Sequence, residues 1–235
     1  WSVEEAKPDV AVWSDKERLV HGRTVIGFYE TGHPLVRFDD EIAINGATPT
    51  EGVVMCGLNY RDDVTIAGVI SEYRERPLKS GKGRMAFLTL EDKNGQCEVI
   101  VFSSAFDQAE ETLKAGEPLL LKGQYTEDGD LEARVGKVRL SEAVLLIEAR
   151  QRFVRKVSVE FDASEITNGQ LEMLKGLLQK YPGTCRTKLL IRMEHEFGAS
   201  LAEFVLPEEY GVDPSDELLT AIERMFRRKN VRLSS

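Results

Sequence analysis

The fold of this chain is decided by residues 85–102, which read MAFLTLEDKNGQCEVIVF. Apolar residues recur there at every second position, at Ala86, Leu88 and Leu90, which is the period of a strand with one buried face. The tetrapeptide at 92–95 contains an Asn-Gly pair, the signal of a tight turn, and a second apolar run follows it. The sequence therefore predicts a β-hairpin at the centre of a sheet domain.

Further predicted strands flank this hairpin on both sides. The period of two begins at Val64 upstream, and downstream it returns at residues 119–125 and 131–146. A short helix from about Ser104 to Lys114 separates the hairpin from these last strands. Five strands with a helix after the third is the order of the oligonucleotide-binding (OB) fold, a partly open Greek-key barrel. We therefore predict an OB-fold nucleic-acid-binding domain over residues 61–150.

The rest of the chain, residues 151–235, predicts a small α+β domain. Its pattern runs strand, helix, strand, strand, helix, strand, which is the split βαβ, or ferredoxin-like, order. Both helices carry start signals in the sequence. Thr167 and Gln170 form a capping box, and Asp213 precedes Pro214 as a candidate N-cap.

Residues 1–60 are predicted to form a helical lead-in and connector. Ser14 and Glu17 form a capping box, apolar residues follow at roughly helical spacing, and the Gly-His-Pro run at 32–34 ends the helix. Because the chain begins with Trp1 and the helix signal comes early, we expect a piece of a longer protein.

Composition and charge are those of a soluble globular chain. It contains 42% hydrophobic and 30% charged residues, and no apolar run approaches the ~20 residues of a membrane span. The first residues lack the basic start and apolar run of a signal peptide. Cys56, Cys97 and Cys185 have no spacing that suggests disulfides or a zinc site. We expect a cytoplasmic protein that binds no cofactor.

No constellation of catalytic residues is visible in the sequence. His21, His33 and His195 match neither a metal-ligand spacing nor a catalytic triad, and no glycine-rich phosphate loop occurs. The acidic pairs at 39–40 and 62–63 could hold a divalent cation, but adjacent acids in turns are usually solvated. We therefore predict neither catalytic residues nor a metal site.

The net charge of −9 hides a basic segment between the first two predicted barrel strands. It contains one acid, Glu75, and the cations Arg74, Arg76, Lys79, Lys82 and Arg84. The loop between these strands borders the face through which OB folds bind oligonucleotides. We predict that these cations contact phosphates; a solvated hairpin is the alternative.

Other candidates for nucleic-acid binding lie on the predicted strands. Phe87 alternates with the buried residues of its strand and therefore points outward, where its ring could stack on bases. The alternative is that Phe87 packs beneath a neighbouring domain. Lys122 on the fourth strand and Arg134, Lys137 and Arg139 on the fifth add positive charge, but the sequence does not assign the face of these four residues.

Two segments of the α+β domain are candidate protein contacts. Arg224, Arg227 and Arg228 make the end of the last helix a basic surface for a partner, although cations there also favour the helix itself. Residues 170–174, QLEML, resemble the glutamine-hydrophobic peptide that bacterial replication proteins insert into the sliding clamp. The apolar residues of this peptide also continue as the stripe of a core helix, which is the favoured interpretation.

Several segments resemble the alpha subunit of bacterial DNA polymerase III. They are residues 26–35 (IGFYETGHPL), 64–68 (VTIAG), 85–92 (MAFLTLED), 98–102 (EVIVF) and 210–219 (YGVDPSDELL). The barrel segments follow each other in the order and spacing of that family. The resemblance extends from about Trp13 to Leu233.

The resemblance implies that the chain is the C-terminal, non-catalytic part of a DNA-directed DNA polymerase, a nucleotidyltransferase. The catalytic palm, a phosphoesterase-like domain and the main peptide for the sliding clamp would lie upstream. The barrel would bind single-stranded template DNA, and the tail domain would dock the tau subunit of the clamp loader in the replisome. Net acidity suggests weak affinity that suffices when tethered. The alternatives are a structural module without DNA binding and the anticodon-binding domain of a synthetase-like enzyme, for which an adenylate-binding motif is missing.

Overall fold

The computed structural model describes residues 33–55, 57–78, 83–128, 135–195, 198–226 and 229–235. The helix predicted to begin at Ser14 lies outside these residues. The described chain opens with short helices, and their bounds are Pro34–Phe38 for a 3-10 helix, Asp39–Ile44 for α1 and Thr50–Val54 for α2. We call residues 33–55 the connector.

Five strands form a closed barrel in the order β1-β2-β3-β5-β4. The strands are β1 (Asp63–Pro77), β2 (Arg84–Glu91), β3 (Gln96–Val101), β4 (Leu119–Asp128) and β5 (Val135–Leu145). Helix α3 (Ser103–Lys114) follows β3, as predicted. Neighbouring strands are antiparallel except β3 and β5, which pair in parallel and close the barrel. The prediction of an OB-fold barrel is confirmed.

Alternation decides which side chains fill the barrel. On β2, Ala86, Leu88 and Leu90 are fully buried, whereas Phe87 between them is half-buried on the outer surface. The ring of Phe106 from α3 enters the same core. The outward position predicted for Phe87 is therefore confirmed.

Strand β1 is long because it pairs with two neighbours. Its residues 63–68 pair with β4 and its residues 69–77 pair with β2. Gly68 stands at the changeover, where an added Cβ would lie 2.5 Å from the carbonyl oxygen of Glu91. Only glycine allows two backbones to approach this closely, so the change of partner from β4 to β2 requires glycine at this position. A bulge between Ile70 and Glu72 follows and sharpens the bend.

After the barrel, a short helix α4 (Leu146–Phe153) leads into a second sheet with the order β8-β7-β6-β9. Its strands are β6 (Lys156–Asp162), β7 (Pro182–His195), β8 (Gly198–Val205) and β9 (Val231–Ser234). Helices α5 (Asn168–Lys180) and α6 (Asp216–Phe226) pack on one face, where their apolar side chains share a core with β6 and β9. We call this unit the tail domain.

The predicted split βαβ, ferredoxin-like, arrangement of the tail domain is wrong. A split βαβ unit has another strand between its two parallel strands, whereas β6 pairs directly with β7 from Lys156 to Asp162. The order of helices and strands along the chain was predicted correctly. The error lies in adjacency, because hydrophobic period indicates the buried face of a strand but not its neighbours.

Of the two helix starts predicted in the tail domain, the first is confirmed and the second is wrong. The capping box is present: the Thr167 hydroxyl accepts from the Gln170 backbone N–H at 3.3 Å, and the Gln170 side chain accepts from Thr167 N–H at 3.0 Å. The N-cap predicted at Asp213 is wrong. Helix α6 begins at Asp216, so Pro214 lies before the first turn rather than in it. The Ser215 hydroxyl accepts the N–H of Leu218.

A single buried arginine joins the connector, the barrel and the tail domain. Arg150 on α4 is 1% exposed and pairs with Glu41 of α1 and with Asp216 of α6. Its guanidinium also donates to the Pro214 carbonyl oxygen at 3.3 Å and lies 5.2 Å from the ring centroid of Phe38. Burial raises the pKa of Glu41, and the charge of Arg150 opposes that rise.

Hydrogen bonds to two further carboxylates extend this junction. The Asp40 carboxylate accepts the backbone N–H of Leu233 in β9 at 2.7 Å. At the barrel, the Thr50 backbone N–H and hydroxyl donate to Asp92 in the β2–β3 turn at 2.7 and 2.8 Å. The connector is therefore bonded to both domains.

Replacing Arg150 by Met should lower the free energy of unfolding by about 3–5 kcal/mol, because the Glu41 carboxylate stays buried without its cation. The loss should be smaller at acidic than at neutral pH. Burial raises the pKa of Glu41 in the folded state, so at acidic pH the side chain is protonated and needs no cation. As pH rises, Glu41 becomes charged and the variant loses stability. Urea denaturation measures both effects. The control is Arg152→Met on the same helix, whose side chain is 54% exposed and which should change stability by less than about 1 kcal/mol. Equal losses in the two variants would contradict the role of Arg150.

Candidate nucleic-acid interface

Four side chains form a continuous row across the outer surface of the barrel. Arg74, Phe87, Ile100 and Arg139 are successive cross-strand partners on β1, β2, β3 and β5. Their chain neighbours Leu88, Val99 and Val138 fill the interior, so alternation turns these four outward. We call them the outer row.

Two arginines lie over aromatic rings at this surface. The guanidinium carbon of Arg76 is 5.5 Å from the ring centroid of Phe87, and that of Arg139 is 4.6 Å from the ring centroid of Phe102. Phe102 is 38% exposed. Within the described part of the chain, neither arginine has a carboxylate within ion-pair distance. Their charges are therefore available to an anion, and each guanidinium covers one face of its ring.

The other predicted cations on the strands are paired. Arg74 contacts Glu72 at 2.5 Å, but both side chains are more than half exposed and such a pair contributes little. Lys122 lies 3.8 Å from Glu142 and over the ring of Phe153 on α4. It is thus beside α4 and is not brought to the outer row.

Arg84 belongs to a charge network between β1, β2 and α3. It contacts Glu75 at 3.2 Å and Glu110 at 2.8 Å, and Lys114 bonds the same two carboxylates at 2.8 and 2.6 Å. Tyr73 donates its hydroxyl to Glu75 at 3.0 Å. Bonding to Lys114 lowers the pKa of Glu75. Phosphate contact by Arg84 stays a prediction, and two carboxylates compete for that guanidinium.

Several predicted site residues lie outside the described part of the chain. They are Lys79, Lys82, Arg134, Arg227 and Arg228. The ends of the β1–β2 loop are described, and the Leu78 N–H donates to the Gly83 carbonyl at 3.1 Å. Arg224 is exposed on α6, on the tail domain.

Sequence reasoning missed Ile100 and Phe102 and did not assign the face of Arg139. The signal for the first two was present. Cys97, Val99 and Val101 alternate as buried residues of β3, so continuing the period would have placed Ile100 and Phe102 outward. The position of Arg139 could not be predicted from the sequence, because it depends on the parallel pairing of β3 with β5.

Other predicted features have local roles in the structure. The His33 ring nitrogen Nδ1 accepts the N–H of Leu35, Asp40 bonds β9, and Asp62 accepts from Asn59 at 3.0 Å. Residues 170–174 lie in the first turns of α5, where Leu174 is buried as the core-helix interpretation predicts, whereas Leu171, expected in the same stripe, is exposed. Among the described residues no three His, Cys, Asp or Glu are grouped to hold a metal. The helices described there are all too short or too polar to cross a membrane.

Comparison with protein families matches the barrel. A family model described as an OB-fold nucleic acid binding domain covers residues 64–140. Among solved structures, a mitochondrial single-stranded DNA binding protein of S. cerevisiae covers 38% of this chain and is itself covered to 97%, at 13% identity and a TM-score of 0.29. A likeness that slight carries no argument.

Comparison with curated proteins matches nearly the whole chain. The DNA polymerase III subunit alpha of Neisseria meningitidis is 26% identical over 226 residues, which are 96% of this chain and 19% of that subunit. The corresponding subunit of Thermus aquaticus is 30% identical over 184 residues, or 78% of this chain and 14% of that protein. The chain spans about a fifth of the length of the first of these relatives.

The network around Glu75 should affect how the free energy of unfolding falls at acidic pH. A carboxylate whose pKa is lowered by folding stabilises the protein above its ordinary pKa of 4.5, and that stabilisation is lost as pH falls through the lowered value. Glu75→Gln should therefore flatten the decline in unfolding free energy below that pH. Denaturation across an acid series measures it, with the exposed Glu72→Gln on the same strand as control. A decline as steep as that of the unaltered chain would contradict the assignment.

Proposed function

This chain is similar along 96% of its length to bacterial DNA polymerase III alpha subunits, and on that premise we propose that it is the C-terminal, non-catalytic part of such a subunit. Its barrel binds single-stranded template DNA, and its tail domain docks the tau subunit of the clamp loader. The proposal assigns no cofactor to this part and places it in the cytoplasm, within the replisome.

The outer row is the observation that supports DNA binding. It joins the ring of Phe87 to arginines on the strands that OB folds commonly use for oligonucleotides, and Phe102 lies beside it at the end of β3. Stacking of a base on an aromatic ring contributes about 1–3 kcal/mol and does not depend on sequence, as template handling requires. Arg76 and Arg139 lie beside Phe87 and Phe102, where phosphates of stacked nucleotides would pass.

The alternative position for Phe87, beneath a neighbouring domain, finds no support among the described contacts. Leu35 and Phe38 of the connector meet Ala67 and Leu120, and its Val53 is buried in the barrel core, whereas the outer row faces away from that core. The outer row is thus separate from the junction with the tail domain.

The overall charge of −9 is compatible with this function if binding is weak. Acidic side chains repel phosphates at long range, whereas cations in the outer row act at contact distance. A module tethered to a polymerase meets its template at high effective concentration, so weak contacts suffice.

The edge of the tail sheet supports docking of a protein partner. Strand β8 is an edge strand with exposed Leu201, Phe204 and Val205, at 58, 52 and 58%. In the described part of the chain no further strand pairs with it. An edge with exposed apolar side chains suits addition of a strand from a partner. The basic end of α6 around Arg224 is a second candidate surface.

Phe87→Ala should weaken binding of single-stranded DNA about 5- to 100-fold through lost stacking. Neutralising Arg76 and Arg139 to Gln should make the dependence of affinity on salt shallower, since fewer counterions are released. Fluorescence anisotropy of a labelled oligonucleotide at low and moderate salt, with duplex of the same sequence alongside, measures both. Phe204→Ala on the tail domain is the control. Unchanged binding in both variants would contradict DNA binding by the outer row and favour the alternative, in which the barrel has only a structural role.

Leu201→Lys combined with Phe204→Lys should lower the affinity for purified tau subunit at least about tenfold, because a buried lysine at an interface costs more than it contributes. Surface plasmon resonance measures this. Met173→Lys, at an exposed apolar position on α5, is the matched control. Loss of affinity in Arg224→Gln instead would move the docking surface to α6. Full affinity in all variants would refute docking through the described tail surface.

A further inference from the structure

Next to the outer row, the barrel surface opens into a pocket of about 370 Å³ between α3 and strands β4 and β5. Its floor includes the buried Leu140. Its polar lining consists of Ser104 and Gln108 from α3, Gln124 from β4, and Arg139 and Ser141 from β5.

Arg139 belongs to both the outer row and the pocket. Across the sheet its backbone is the partner of Ile100 in β3 and of Gln124 in β4. Its guanidinium lies against Phe102, at the end of β3. A nucleic-acid strand that crosses the barrel from Phe87 over Ile100 therefore reaches Arg139 and, one strand further, the pocket.

The lining has the chemistry to bind one nucleotide without selecting its base. Side-chain amides both donate and accept hydrogen bonds, and serine hydroxyls do the same, so bases with different edges can be accommodated. Among the described residues that line the pocket there is no carboxylate, so none of them repels a phosphate. Its volume is at the lower end of the range for small-molecule sites, about 300–1,000 Å³, which suits a single nucleotide.

We propose that this pocket holds one nucleotide of the single strand whose neighbours stack on the outer row, with Arg139 contacting the phosphate between them. The inference rests on the proposed function, and it extends the binding surface from β2 and β3 to the groove beside α3. Gln108 and Gln124 bind the nucleotide, and their backbone elements fix the width of the pocket.

Affinity as a function of oligonucleotide length tests the proposal. Oligothymidylates of about 4 to 16 nucleotides, the range of OB-fold site sizes, are titrated against the chain and against Gln108→Leu/Gln124→Leu. The variant should bind the shortest oligonucleotides like the unaltered chain and the longer ones about fivefold more weakly, because only the longer ones reach the pocket. An oligonucleotide with a terminal photoreactive thymidine should crosslink to residues 104–108 or 139–141.

The control is Gln151→Leu/Gln179→Leu, the same change at exposed glutamines of α4 and α5, which should bind every length normally. If the pocket variant binds long oligonucleotides as tightly as the unaltered chain does, the pocket proposal is overturned while DNA binding stands. Crosslinks that fall only on other surfaces overturn it as well. If the unaltered chain binds no length of single strand, the proposed DNA binding fails first and the pocket proposal with it.

Discussion

A guanidinium buried to 1% exposure is costly unless carboxylates and hydrogen-bond acceptors surround it. Arg150 finds them on two sides, at Glu41 ahead of the barrel and at Asp216 in the tail domain, with the ring of Phe38 beneath it. Because each partner comes from a different part of the chain, satisfying this one charge sets the positions of connector, barrel and tail domain together. The connector is consequently an integral part of the fold, bonded to β9 through Asp40 and to the β2–β3 turn through Asp92.

The connector, as far as the structure describes it, does not cover the outer row. Leu35 and Phe38 of the connector meet Ala67 and Leu120 on β1 and β4, and its Val53 enters the barrel core. The outer row lies on the opposite, outward side of β1, β2, β3 and β5. An acidic chain can in this way expose a local surface with arginines and aromatic rings, since contact distances matter more than total charge for a weak tethered binder. Under the proposed function, template and protein partner bind two separate surfaces, the outer row of the barrel and the β8 edge of the tail domain.

Cations that look equivalent in the sequence have different environments. Arg84 belongs to the same basic segment as Arg76, yet Arg84 is bonded to Glu75 and Glu110 while Arg76 lies over Phe87. The difference arises because α3 packs against the end of β2 and brings Glu110 and Lys114 with it. Counting basic residues in a loop therefore overstates the number that can meet a phosphate. Arg139, far from that segment in sequence, is the better-placed cation.

The sequence by itself determined the strands, the β2–β3 turn, helix α3, the capping box at Thr167 and the outward direction of Phe87. These features depend on backbone periods and on side chains within a few residues of each other, which can be read locally. Only the tertiary structure decided that β6 lies directly beside β7, that β3 pairs with β5, and that Arg150 meets Glu41 across 109 positions. Such pairings depend on contacts between segments that are distant in the chain, and these contacts produce no periodic pattern in the sequence.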